Sequence, residues 1–189
     1  MTISLILGGA RSGKSAHAEK LAADSSQDGA RDVVYIATAQ SRDAEMAERI
    51  GIHRQRRDAR WSTVEEPLAL GREIRRWSAP DRVVLVDCLT VWLSNLLFSE
   101  QRDYPEVGKI VPPESYGRER QSLLDALRDA AGDIILVSNE VGMGIVPQGA
   151  ISRWFVDEAG RLNQAVAACS DRAVFVVAGL PMMLKGQPC

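Results

Sequence analysis

One stretch near the start of the chain restricts its fold more than any other: Gly8-Gly9-Ala10-Arg11-Ser12-Gly13-Lys14-Ser15 fits the phosphate-binding pattern G-x-x-x-x-G-K-[ST] at every fixed position. The apolar run Ile3-Ser4-Leu5-Ile6-Leu7 precedes it, and Ala16 to Ala23, made largely of helix formers, follows. Strand, glycine loop and helix are the context such a motif needs. Gly8, Gly9 and Gly13 free the backbone to turn successive N–H groups onto phosphate oxygens at a helix N-terminus. Lys14 supplies a mobile positive charge for the β- and γ-phosphates, and the Ser15 hydroxyl is a ligand for Mg²⁺. A nucleoside-triphosphate site is the expectation.

The rest of the chain repeats the alternation. Val33 to Ala37 reads as a strand, Trp61 to Val64 as a short one, and Val83 to Val86, Ile134 to Ser138 and Val174 to Ala178 as further strands, the last closing the pattern. Between them, Ser41 is a plausible N-cap for a helix with Asp43 in its first turn and Met46 and Ile50 on one face. Leu70, Ile74 and Trp77 recur at i, i+4 and i+7 after Pro67, with Trp77 read as core. Leu89, Leu93, Leu96 and Leu97 make a stripe with Trp92 and Asn95 off its centre. Pro113 starts a helix that buries Leu123, Leu124 and Leu127, and Ile151 to Cys169 traces a long amphipathic one. Strands alternating with helices imply an α/β fold of the P-loop nucleoside-triphosphatase type: a mainly parallel sheet with helices on both faces.

At 189 residues the chain suits one well-buried core, so a single domain over 1–189 is expected. A net charge of -2 argues against a general binder of nucleic acid. Thr2 to Leu7 is too short for the apolar region of a signal peptide, and no apolar run approaches membrane-spanning length, so a soluble cytoplasmic protein is expected. Cys88, Cys169 and Cys189 are widely spaced, with no C-x-x-C pair. Cys88 and Cys169 read as small core residues.

Three further groups bear on chemistry. Ends of parallel strands are where α/β sheets bind ligands, which makes Ala37, Thr38 and Ala39 candidates for the wall of the site. Asp87 ends an apolar strand as the carboxylate of a Walker B element does, where it holds Mg²⁺ directly or through water. The run from His53 through Arg54, Gln55, Arg56 and Arg57 to Arg60 is the most basic in the chain. Such a run is ordinarily a solvated helix end; beside a triphosphate site its cations could instead hold phosphates or neutralise a leaving group. If the preceding helix continues through Gly51, His53 falls on its apolar face. The excursion from Gln101 to Tyr116, with three prolines, reads as an ordered detour or a lid. Asn139 to Pro147, polar at a strand end and then marked by two spaced glycines, is either a second loop over the site or an ordinary turn.

With these motifs in place the sequence resembles the bifunctional adenosylcobinamide kinase / adenosylcobinamide-phosphate guanylyltransferase family of cobalamin biosynthesis. The phosphate loop alone would be generic. The likeness is carried also by Tyr35-Ile36-Ala37-Thr38, the Met46 to His53 segment, Asp87 to Leu97, Asn139 to Pro147, and Ala159-Gly160-Arg161-Leu162-Asn163-Gln164. It implies two reactions. A nucleoside triphosphate, ATP or GTP, first phosphorylates the aminopropanol hydroxyl of adenosylcobinamide; GTP then transfers GMP to that phosphate through a histidine-bound GMP. The matching histidine is His53, and Arg54 to Arg57, Glu65 and Asp87 match nucleotide-binding positions. Asp87 departs from a Glu common in the family, and its shorter carboxylate would still serve Mg²⁺, through water. The preference for GTP rests on the resemblance alone, since no N/TKxD-like guanine-reading motif is present. A homo-oligomer, with a trimer as one candidate state, follows from the same resemblance. The corrinoid contact is unplaced, with the Gln101 to Tyr116 excursion and the Asn139 to Pro147 segment as candidates.

Two other readings stay open on residues alone. One is a P-loop kinase or nucleotidyltransferase acting on a different small molecule. The other is a nucleotide-dependent switch without transfer chemistry. His17, on the first helix, is the second histidine and a weaker candidate nucleophile, because a residue three past Lys14 ordinarily points away from the phosphates.

Overall fold

A computed structural model describes residues 1–26, 29–40, 51, 58–100 and 102–187. The expected helix from Ser41 through Met46 to Ile50, with Asp43, lies outside these residues, as do His53, Arg54, Gln55, Arg56, Arg57, Gln101 and Cys189.

Strands β1 (Ile3–Gly8), β2 (Asp32–Ala37), β3 (Ser62–Glu65), β4 (Arg82–Asp87), β5 (Asp133–Asn139), β6 (Arg172–Val177) and β7 (Leu180–Lys185) join in one sheet ordered β3-β2-β4-β5-β1-β6-β7. Every neighbouring pair is parallel except β6 and β7. The described helices are α1 (Lys14–Ser25), α2 (Leu70–Trp77), α3 (Leu89–Leu97), α4 (Glu114–Arg128) and α5 (Ala150–Cys169).

The strands read as apolar runs because both sheet faces are buried. In β1 the alternation divides the core: Ile3, Leu5 and Leu7 pack with α2, α3, α4 and α5, whereas Ile6 faces Ala18, Leu21 and Ala22 of α1. Each fully buried large aliphatic side chain contributes roughly 1.5–3 kcal/mol relative to exposure. Helices therefore lie on both faces, as the pattern predicts.

Four details differ from the sequence reading. Trp92 and Asn95 are not peripheral on α3: both are buried, since their polar atoms find backbone acceptors. The indole Nε1 donates to Leu68 O at 2.8 Å, and Asn95 Nδ2 to Thr38 O at 2.8 Å. Trp77 packs against the core, as expected, but stays half-buried at its margin, its Nε1 donating to Glu73 Oε2 at 3.1 Å, with the Arg76 and Arg82 guanidiniums over its ring. The helix after Pro67 begins three residues later, at Leu70, its entry held by Glu66, whose Oε1 accepts from the N–H groups of Leu68 and Ala69 at 2.8 Å each. Lastly, β6 is not the final strand. Ala178 (φ 52°) and Gly179 (φ 80°) form a two-residue turn into β7, which runs back along the edge.

Candidate functional site

The sheet brings its chemistry to one rim, the C-terminal ends of the parallel strands. Ala37 of β2 lies level with Glu65 of β3 on one side and Asp87 of β4 on the other. Asp87 is level with Val137, and two residues on, Asn139 pairs with Gly8, where the phosphate loop begins. Chains leave β1 and β5 toward opposite sides of the sheet here, which is where open α/β sheets form their ligand crevice.

The loop itself is built from close backbone approaches. A Cβ on Gly8 would stand 2.6 Å from Val176 O and 2.4 Å from Ser12 Oγ, so only glycine fits. Gly13 takes φ 95° as the N-cap of α1. The β6–β7 turn braces this arch: Gly179 N–H donates to Ser12 O at 2.8 Å. Glu140 N–H donates to Gly8 O at 3.1 Å and ties the end of β5 to the loop from the other side. Ala10 and Arg11 form its exposed tip, with Arg11 at φ 55°.

Lys14 is buried, and its Nζ donates to Gly9 O at 3.0 Å. Burial pulls its pKa below the ordinary lysine value; the neighbouring Cys88 and Asp87 oppose that pull and favour the charged form. Cys88 is itself buried, and desolvation followed by the Asp87 carboxylate pushes its thiol up to about 11, which keeps it protonated and inert as a nucleophile. Asp87 is half-buried and accepts from the Tyr35 hydroxyl at 3.1 Å through Oδ2.

The Ser15 hydroxyl and the Asp87 carboxylate are both hard oxygen donors, the chemistry that suits Mg²⁺. Among the described residues no group of three or more His, Cys, Asp or Glu could hold a metal by itself. A Mg²⁺ ion at these residues would take its remaining ligands from phosphate oxygens and water, the usual arrangement for this ion in nucleotide enzymes.

Thr38, expected in the wall of the site, is fully buried, and its hydroxyl is engaged within the fold. Oγ1 donates to Cys88 O at 2.8 Å and accepts from Cys88 N–H at 2.9 Å. Ala37 and Ala39 are half-buried and Glu65 is exposed, all at the rim. His17 sits in the first turn of α1; burial, then the charge of Lys20, lowers its pKa, and among the described residues its Nε2 is buried without a hydrogen-bond partner.

Sequence reasoning missed the polar net behind the rim. Thr90 Oγ1 accepts from both the N–H and the side-chain Nδ2 of Asn139 at 2.8 Å. Asn163 of α5 donates through Nδ2 to Asn139 O at 3.2 Å and accepts from Ser138 Oγ at 2.7 Å. A signal was present in Asn139 and Asn163, polar residues inside segments quoted for the family likeness, but nothing in the spacing shows that they meet. After Asn139 the chain forms a loop whose Glu140 Oε1 accepts from Gly142 N–H at 2.7 Å. Val141, Gly142, Gly144, Ile145, Val146 and Pro147 line a cavity of about 310 Å³ against Arg153, Val156 and Asp157 of α5.

Comparison with known proteins extends this geometry. The family described as cobinamide kinase / cobinamide phosphate guanyltransferase matches residues 4–184. The bifunctional adenosylcobalamin biosynthesis protein CobP of Pseudomonas aeruginosa is 53% identical over 184 residues, covering 97% of this chain and 98% of that one. The corresponding CobU proteins are 44% identical in Escherichia coli K12 and 42% in Salmonella typhimurium LT2, each over 96% of this chain and 98% of theirs. A match that spans the phosphate loop, the carboxylate rim and the loop after β5 leaves neither the unrelated kinase nor the switch as the better account: the chain belongs to the cobinamide kinase / cobinamide phosphate guanyltransferase family.

Proposed function

We propose that the chain, acting as one domain over 1–189, phosphorylates adenosylcobinamide with ATP or GTP and then transfers GMP from GTP to the resulting phosphate, giving adenosylcobinamide-GDP and pyrophosphate. The observation that carries this reading is the full-length family match around a braced phosphate loop, with the buried Lys14 near the Asp87 carboxylate, whose charge opposes part of the downward pull of burial on the lysine.

In the first step the acceptor hydroxyl oxygen attacks the γ-phosphorus, its bond to the β–γ bridging oxygen breaks, the hydroxyl proton leaves and a nucleoside diphosphate departs. Gly8 to Gly13 cradle the phosphates with backbone N–H groups, and Lys14 and Arg11 offset charge on the oxygens. Ser15 and Asp87 would hold Mg²⁺, which supplies electrostatic stabilisation of the phosphate oxygens.

In the second step an imidazole nitrogen of His53 attacks the α-phosphorus of GTP and expels pyrophosphate; a phosphate oxygen of the corrinoid then attacks the same phosphorus and the P–N bond breaks. A neutral imidazole at pH 7 suits both roles. Arg54, Gln55, Arg56, Arg57 and Glu65 would steady the guanylyl group or the departing pyrophosphate, with Ala37, Thr38 and Ala39 as the backbone of the wall. The protein would work in the cytoplasm as a homo-oligomer, with a trimer as one candidate. Among the described residues no helix is long and apolar enough to cross a membrane.

The test is to incubate the protein with Mg²⁺ and α-labelled GTP, denature it, and assay retained label for acid lability and base stability. Label kept by wild type and His17→Ala but lost in His53→Ala establishes guanylylated His53; a wild type that keeps no label overturns the covalent route.

A further inference from the structure

The loop that leaves β5 beside the phosphate loop carries its large apolar residues outward. Ile145 is 97% exposed, Met143 78% and Val146 74%. Side chains of this size in a row on one loop are unusual on a surface without a binding role. The loop is also held in shape. Glu140 fixes its start through Gly142 N–H, Arg153 reaches from α5 to the carbonyls of Pro147 and Gln148, and Ala150 N–H donates to Glu106 O at 3.0 Å. Its root is joined to the phosphate loop by Glu140 N–H on Gly8 O. A fixed apolar crest thus rises from the edge of the site at which a phosphoryl acceptor must arrive.

We propose that Met143, Ile145 and Val146 form the surface on which the corrin ring of the acceptor rests, its edge against the crest and its aminopropanol arm directed toward the phosphate loop. This rests on the reading of the chain as an adenosylcobinamide kinase. A corrinoid is several times larger than the 310 Å³ cavity behind the loop, so it cannot be enclosed there and must lie on an open surface. Its ring edge of methyl and methylene groups matches apolar side chains, and its amide arms match the exposed backbone around Gly144. A rigid crest also binds at a lower ordering cost than a mobile one. The excursion after Gln101 is the weaker candidate: it exposes only two separated valines, Val107 and Val111, while its larger Ile110 is buried in the fold and Tyr104 is tied to Leu97 O at 2.6 Å.

The test is steady-state phosphorylation by the full chain, varying adenosylcobinamide at saturating nucleotide and then the reverse, for wild type, Ile145→Ser, Met143→Ser/Ile145→Ser and Leu184→Ser. The exposed Leu184 on β7 controls for loss of a surface leucine. Losing one buried aliphatic contact predicts a KM for adenosylcobinamide raised about tenfold in Ile145→Ser and more in the double variant, with nucleotide KM and melting temperature unchanged and Leu184→Ser like wild type. An unchanged corrinoid KM in an active enzyme overturns this inference alone. So does a double variant whose sedimentation shows loss of self-association, since the crest would then be a contact between copies. A wild type that phosphorylates no adenosylcobinamide overturns the kinase reading and this inference with it.

Discussion

Thr38 and Cys88 close a reciprocal pair of hydrogen bonds fifty residues apart: Thr38 Oγ1 donates to Cys88 O at 2.8 Å while accepting from Cys88 N–H at 2.9 Å. The pair locks the end of β2 to the residue after Asp87, so the position of the rim carboxylate depends on a hydroxyl that faces away from solvent. Thr38→Val keeps the shape and removes both bonds, leaving the buried Cys88 N–H without a partner, while Cys88 O keeps its bond from Trp92 N–H at 3.1 Å. The expected cost is about 2–3 kcal/mol, read as a melting temperature lower by roughly 5–10 °C. Kinase kcat should fall as well, because Asp87 loses its support. Thr38→Ser should restore most of both; a valine variant as stable as wild type would show that the pair matters little.

Gly8 stands where the loop, the β6 backbone and Ser12 converge. A methyl group there meets Val176 O at 2.6 Å, and a backbone carbonyl inside a sheet cannot swing aside. Gly8→Ala should therefore distort the arch, lowering stability by about 1–3 kcal/mol and weakening nucleotide binding at least tenfold in a calorimetric titration. Gly9→Ala is the control, because a Cβ at that position meets nothing within 4 Å.

The contrast between these two glycines shows what a sequence can convey. The motif marks both alike, and only the assembled sheet distinguishes the one under Val176. Strands were legible because burial on both faces makes them unbroken apolar runs, and α5 because its stripe is long. β7 was not: Leu180-Pro181-Met182-Met183-Leu184-Lys185 contains a proline and shows no apolar–polar alternation, although it is an edge strand largely open to solvent. Of the candidate site, the phosphate loop and Asp87 were readable from local pattern. Thr38, Thr90, Asn139 and Asn163 were not readable in their observed roles, because their partners lie 24 to 57 residues away in sequence.

Asp133 gives a stability prediction with a definite sign. It accepts from Arg31 Nη1 at 2.5 Å and from Thr2 N–H at 2.7 Å, joining the starts of β1 and β5 to the segment before β2. Burial by itself would raise its pKa, but Arg31, the Thr2 N–H and the N-terminal charge outweigh it and hold the carboxyl below the ordinary 3.8. A depressed carboxyl stabilises the fold fully above its unfolded value and stops doing so as pH falls through the folded one. Asp133→Asn should be less stable than wild type by about 1–3 kcal/mol at pH 7, with the gap closing below pH 3.8 in urea titrations across the acid range. A gap independent of pH would mean that packing, not charge, is responsible.

Lys14 and Asp87 make a matching prediction for catalysis. The lysine must be charged to meet the phosphates, and burial brings its pKa below the usual 10.5 while Cys88 and Asp87 hold part of it back. Because kcat/KM for nucleotide reports ionisations of the free enzyme, its alkaline limb should fall with an apparent pKa below 10.5, as the ammonium loses its proton. Asp87→Asn removes one of the two opposing contributions, so the limb should move to still lower pH, in addition to any loss of Mg²⁺ binding. Lys14→Arg, which stays charged throughout, should abolish the limb in whatever activity remains. Profiles for wild type and Asp87→Asn with the same alkaline limb would show that the carboxylate does not act on the lysine, leaving metal binding as its sole part in the site.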